Sequence, residues 1–197
     1  DFLDEPTKSP RRNQSGIYAT RTFGPPGSEV RVILLDGRSF RGAPKSGGDI
    51  LGEAQWLWLT DILENSTAQI HLICSGSQIL PTEHRHEKWA DYPDSRKRLL
   101  DLLARTQKTG VIFLSGDRHM AEISRIEHAG TSFTEVTSSG MTHFRHDSNN
   151  EKNSLRIGDF FADLNFGTIE IDWDLKIISL AIRTNAGSVI RNTEVRF

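Results

Sequence analysis

Residues 111–120 read VIFLSGDRHM, and what this run builds decides the fold. Four apolar residues, led by β-branched Val111 and Ile112, pass through Ser115 and Gly116 into Asp117, Arg118 and His119. An unbroken apolar run of this length, closed by a glycine, predicts a strand buried on both faces, the kind found inside parallel sheets. We place it at Gly110–Ser115. Gly116 lets the chain turn sharply, so the polar residues leave the C-terminal end of the strand, where open α/β sheets hold their ligands. A carboxylate oxygen and an imidazole nitrogen two residues apart can serve one metal ion. The same pair can equally be a turn-capping Asp beside a surface His, and the pattern alone leaves both readings open.

Upstream, VRVILLD (residues 30–36) and Gln69–Ser75 are two more short apolar runs that predict buried strands. Between them EAQWLWLTDILEN (residues 53–65) predicts a helix, with Ala54, Leu57, Trp58 and Ile62 at three- and four-residue spacing. Trp56 and Trp58 fall on opposing sides of it, so at least one packs inside. DSRKRLLDLLARTQ (residues 94–107) predicts a second helix, capped by Asp94 and buried along Leu99, Leu102 and Leu103. Downstream the pattern changes to short strands without helices, at 123–127, 133–137, 167–173, 177–184 and 189–195; the last part alternates as half-buried antiparallel strands do. Asp174–Lys176 is short enough for a hairpin. Residues 1–28, rich in Pro, Gly, Ser and Arg, are expected to be an irregular lead-in. Strand–helix–strand–helix–strand followed by antiparallel strands predicts an α/β fold, a layered sandwich of mixed β-sheets flanked by helices, with residues 1–197 as one domain.

Bulk properties agree with a folded domain. The chain has 197 residues, 36% hydrophobic and 25% charged, with a net charge of −2. That balance gives no reason to expect nucleic acid or an anionic membrane as partner. The single cysteine, Cys74, lies in an apolar run and reads as a small buried hydrophobe. No Walker-type or dinucleotide-binding glycine pattern occurs.

Several blocks carry a resemblance. LLDGRSFR (34–41), ILGEAQWLWL (50–59), SGSQIL (75–80), EKWADYP (87–93) with SRKRLL (95–100), FLSGDRHMAE (113–122), TSSGMTH (137–143) and NFGTIEIDW (165–173) appear in this order. Together they resemble the alkaline phosphatase D (PhoD-like) family of calcineurin-like metallophosphoesterases, specifically its C-terminal part. The resemblance implies metal-dependent hydrolysis of phosphate esters at a two-metal site, with iron and calcium as the metals. It implies metal ligation by Asp117 and His119, which occupy the family's Gly-Asp-x-His motif. It also implies, less directly, substrate-binding roles for Arg38 and Gln78, although Arg38 can equally bridge to a nearby carboxylate that holds the loop and Gln78 can equally be an ordinary loop amide; Gly37 stands where the family has Thr. The family's N-terminal half, which supplies the remaining ligands and the catalytic groups, has no counterpart motif in these residues. The main catalytic residues are accordingly expected upstream of Asp1, in a native protein that is longer than this chain. That N-terminal half is the expected partner beside the phosphate-ester substrate, and the chain alone is expected to be inactive. The resemblance also favours an extracytoplasmic location. The competing expectation is a non-catalytic metal-binding or structural module that keeps the fold.

Other titratable residues read more plainly. The tract Glu83–Glu87, with His84 and His86, is expected to be a solvated loop or the rim of the site. His143 and His146 are expected at the surface, and His71 in the core.

Overall fold

A computed structural model of the chain describes residues 5–145 and 151–197. Asp1, ahead of which the sequence reading puts the main catalytic residues, lies outside the described residues. Among the described residues ten strands and two α-helices follow one another in the order β1 (Ala19–Phe23), β2 (Val30–Leu34), α1 (Glu53–Glu64), β3 (Ile70–Ser75), α2 (Pro93–Arg105), β4 (Gly110–Ser115), β5 (Ala121–His128), β6 (Thr131–Ser138), β7 (Arg156–Phe161), β8 (Asn165–Asp172), β9 (Ile177–Thr184) and β10 (Val189–Arg196). A seven-stranded mixed sheet has the order β1-β2-β3-β4-β6-β5-β7, and a three-stranded antiparallel sheet the order β10-β9-β8. Within the large sheet, β2, β3, β4 and β6 run parallel.

The alternation of side chains along each strand builds three layers. On β4, Val111 and Phe113 face α1 and α2, in a core with Trp56, Leu59, Leu63, Leu99 and Leu103. Ile112, between them, faces the other way and joins Ile123 and Val136 against Ile178, Leu180 and Ile182 of β9. One strand thus serves both cores, as its unbroken apolar run implies. Each large apolar side chain buried here contributes about 2 kcal/mol. Among the described residues no helix is long and apolar enough to cross a membrane.

Four expectations need correction. The lead-in is not irregular throughout, because β1 lies within it and pairs antiparallel with β2. β7 has no counterpart among the expected strands. Asp94 does not cap α2: Pro93 occupies the first turn, Tyr92 is the cap residue, and Asp94 sits in the first turn, where a carboxylate is favoured by the helix dipole. The buried face of α1 is Gln55, Trp56, Leu59 and Leu63, while Leu57 is 65% exposed. The apolar residues Ala54, Trp56, Leu57, Trp58, Leu59, Ile62 and Leu63 spread over more than half of the helix surface, so two stripes satisfy the spacing. Gln55 selects the observed one. Its carboxamide accepts from the Asp36 amide at 2.9 Å and donates to the Asp36 carbonyl at 2.9 Å, which pins α1 to the exit of β2. Trp58, on the other side, is only partly buried and packs against Tyr18 at 4.7 Å between ring centroids.

Candidate functional site

The parallel strands end in line. Cys74 of β3 pairs with Leu34 and Leu114, and Ser75 pairs with Ser115, which pairs with Thr137. The segments carrying Arg38, Gln78 and Asp117–His119 therefore leave one edge of the sheet, the C-terminal edge favoured for ligands.

The turn after β4 is tight. The Arg118 amide donates to the Gly116 carbonyl at 2.9 Å, closing a three-residue turn whose central residue, Asp117, has φ 68°. His119 follows at φ 53°. Positive φ is unfavourable for side-chain-bearing residues, and a γ-turn with a positive central φ is rare and strained. Strain of this kind collects at functional sites. The turn leaves Asp117 exposed and His119 half-buried, with Arg118 only 4% exposed between them. Among the described residues the Asp117 carboxylate accepts no hydrogen bond. The His119 ring lies edge-on to His143, with centroids 4.1 Å apart, and the His119 carbonyl accepts from the Arg145 amide at 3.0 Å. His143 is exposed, as expected; His146 lies outside the described residues.

Beneath the turn is a polar network that sequence reasoning did not find. Arg118 Nη1 donates to Gln78 Oε1 at 2.7 Å, and Arg118 Nη2 pairs with the Glu151 carboxylate. Gln78 Nε2 donates to Glu122 Oε1 at 2.7 Å and to Thr137 Oγ1 at 2.8 Å. Glu122 Oε2 accepts from Arg156 Nε at 2.6 Å, and Arg156 also donates to the Glu151 carbonyl at 2.8 Å. Gln78 is fully buried, and both ends of its amide are occupied. The structure thus sets Gln78 under the turn. The loop that follows is held from two sides. Glu135, fully buried on β6, accepts from the Ile79 amide at 3.0 Å and the Leu80 amide at 2.6 Å. Arg96 donates to the carbonyls of the same two residues at 2.7 and 2.9 Å. Burial raises the Glu135 carboxyl to about 7, with the Leu80 amide pulling the other way. The available signal for these residues was a charged residue inside an apolar strand, Glu122 in AEIS and Glu135 in FTEVT.

Arg38 stands on the opposite flank. Its guanidinium is 60% exposed and reaches Glu87 Oε2 at 3.2 Å, while Arg41 pairs with the same carboxylate. The loop carrying Arg38 is tied by Asp36, which accepts from the Ile17 amide at 2.9 Å, the Arg38 and Ser39 amides at 3.0 Å each, and the Ser39 hydroxyl at 2.6 Å. Burial opposes ionisation of Asp36, but the Ser39 hydroxyl and the three amides outweigh it and take the carboxyl down to about 2.

The tract at 83–87 is not a solvated loop throughout. His84 is 6% exposed, its ring nitrogens have no hydrogen-bond partner among the described residues, and burial lowers it to about 4. His86 pairs with Glu151 Oε1 at 3.1 Å, which draws this loop onto the network under the turn. His71 is a paired core histidine, as expected, with Nε2 2.8 Å from the Ser66 hydroxyl.

Asp117 and His119 offer one oxygen and one nitrogen donor near the surface. Both donor types are competent metal ligands. Among the described residues no three His, Cys, Asp or Glu side chains are grouped to hold a metal.

Comparison with known proteins adds the family. No curated protein matches the chain. Among solved structures, PhoD is similar over 91% of this chain and 40% of its own, at 16% identity and a TM-score of 0.70. GAP50, the anchor in the inner membrane complex of Plasmodium, is similar over 93% of this chain and 56% of its own, at 17% identity and a TM-score of 0.65. The purple acid phosphatase PPD1 from yellow lupin seeds is similar over 92% and 33%, at 13% identity and a TM-score of 0.58. Likeness at these identities carries the fold, and the chain spans from about a third to just over half of each of these structures. The family model described as PhoD-like phosphatase matches residues 5–166. The chain belongs to the PhoD-like phosphatase family.

Proposed function

We propose that this chain is the part of a metal-dependent phosphoesterase that carries Asp117 and His119 as ligands of an active-site metal. The observation that carries the reading is the strained turn itself. Two residues, two positions apart and with side chains suited to a metal, are held at positive φ at the C-terminal edge of four parallel strands. Family membership supports hydrolysis of phosphate esters as the chemistry. When bound, the metal supplies an activated water and neutralises charge on the phosphoryl group. Asp117 and His119 would hold it. Arg38, exposed and bound only at its fringe by Glu87, is placed to pair with phosphate oxygens. Gln78 acts from below, through Arg118. Metal identity stays with the family-based expectation of iron and calcium.

Two ligands do not make a tight dinuclear site. We assign the remaining ligands and the main catalytic groups to the rest of the family's domain. This chain alone is expected to hydrolyse p-nitrophenyl phosphate little or not at all. The test has two readings. Robust divalent-metal-dependent turnover by the 197-residue chain would overturn the division of the site. Titration with Co²⁺ should give a bound spectrum that Asp117→Ala and His119→Ala each abolish; binding unchanged in both variants would overturn the ligand assignment. A non-catalytic module is the second reading. It is supported by the fold similarity to GAP50, which is described as an anchor. Turnover by a protein combining this chain with the remainder of the domain would exclude it.

A further inference from the structure

We propose that Arg118 is a positioning residue: its buried guanidinium is the strut that holds Asp117 and His119 in their left-handed conformations and turns them outward together. The inference rests on the reading of Asp117 and His119 as ligands, and it assigns a role to the residue between them.

The geometry is one of alternation. Three successive residues leave β4 exposed, buried and half-buried, and the outer two have φ 68° and 53°. Neither is glycine, so the backbone does not favour this turn by itself. The Gly116–Arg118 backbone hydrogen bond closes the first turn but places no constraint on His119. What fixes the centre is the Arg118 side chain. It enters the interior and is gripped at two points, Gln78 at 2.7 Å and the Glu151 carboxylate. A guanidinium held in this way has a defined direction, because its donors form a rigid planar fork. Both anchors are themselves fixed. Gln78 is held by Glu122 and Thr137, and Glu151 is held at its carbonyl by Arg156 and at its carboxylate by His86. The strut is therefore anchored to β5, β6 and the segment before β7, three elements outside the turn. Ligands of a metal need this outer support to keep their orientation.

The experiment uses the full chain, isotope-labelled, without metal. Positive φ gives a strong intraresidue amide–Hα NOE, and the His119 and His143 rings, 4.1 Å apart, give a ring–ring NOE. In Arg118→Met both signatures should be lost at Asp117 and His119. Gln78→Met, which keeps the charge of Arg118 and removes one anchor, should weaken them, and it decides the matter if Arg118→Met does not fold. The control is Leu180→Ala, in the other core, which should leave both signatures intact at comparable thermal destabilisation. Wild-type signatures in Arg118→Met, or in Gln78→Met where the first variant is unfolded, overturn the proposal; so does their equal loss in Leu180→Ala. A Co²⁺ titration separates this from the ligand reading. If the wild type binds, Arg118→Met should bind about 10- to 100-fold more weakly. If the wild type does not bind, as two ligands without the rest of the site allow, the NOEs alone judge the strut.

Discussion

Asp36 gathers four hydrogen bonds on one carboxylate, three from amides and one from a hydroxyl, and so fixes the loop that carries Arg38. Its folded-state pKa of about 2 lies below the ordinary value of 3.8. The stabilisation is fully present above about pH 4 and is lost as pH falls from about 4 to about 2, because the unfolded chain takes up the proton first. It amounts to roughly 2 kcal/mol. Asp36→Asn should therefore be less stable than wild type by about that amount at about pH 7, and the two denaturation curves should converge towards about pH 2. A constant gap across this range would refute the assignment. At this scale the sequence was informative where a residue stands at a strand end. That Asp117 and His119 leave the end of a buried strand was legible, because polar residues that close an apolar run come out at a sheet edge; Arg38 and Gln78 were singled out by the family resemblance alone. Arg118 was not, since nothing in GDRH distinguishes the residue that points inward. Glu151 was not, because its partner is 33 positions away, a separation that no local pattern encodes.

The elements were legible to the extent that their sequences have one interpretation. α2 has a single apolar face, and Leu99, Leu102 and Leu103 are buried as its spacing requires. α1 has two candidate faces, and only a long-range contact, Gln55 with Asp36, decides between them. β1 escapes a reading by pattern because it is an edge strand with mostly exposed residues, and an edge facing water needs no apolar alternation. β7 escapes it because Gly158 interrupts the strand at φ 72° and its pairing with β5 slips in register, so the run RIGDFF does not alternate. β6 does more than pair with β4 and β5. Its Glu135 clamps the loop after β3, and burial holds the carboxyl at about 7 against an ordinary value of 4.5. Between these values the folded state keeps a proton that the unfolded state has lost. The contribution to stability is full below about pH 4.5 and is lost as pH rises to about 7, by on the order of 3 kcal/mol. Glu135→Gln keeps an acceptor for the Leu80 amide and has nothing to ionise. Urea denaturation from about pH 5 to about pH 8 should show this decline in wild type and its absence in the variant; the same slope in both would assign the decline to another group.

Across the whole molecule, the feature that governs behaviour is that one sheet serves two cores. Val111 and Phe113 face the helices, while Ile112 faces β9, so neither outer layer can part from the large sheet without exposing a strand that the other layer needs. The three-layer arrangement followed from the sequence because the change from helix-separated strands to successive strands marks where the second sheet begins. The pairing order β4-β6-β5-β7 did not follow, since β6 reaches β4 past β5 and turn lengths do not dictate that choice. The coupling makes a testable statement about cooperativity. Leu103, in α2, and Leu180, in β9, are both fully buried on opposite faces of the sheet. Leu103→Ala and Leu180→Ala should each cost about 2–5 kcal/mol. Because the two residues lie in separate cores, their costs should add to within about 0.5 kcal/mol in the double variant. Each variant should still unfold in one transition, coincident by far-UV and near-UV circular dichroism. If Leu180→Ala instead produced an early transition with hydrogen-exchange protection lost only in β8, β9 and β10, the small sheet would be an independent unit. The shared sheet would then not transmit stability between the layers, and the candidate site would rest on the helix layer alone.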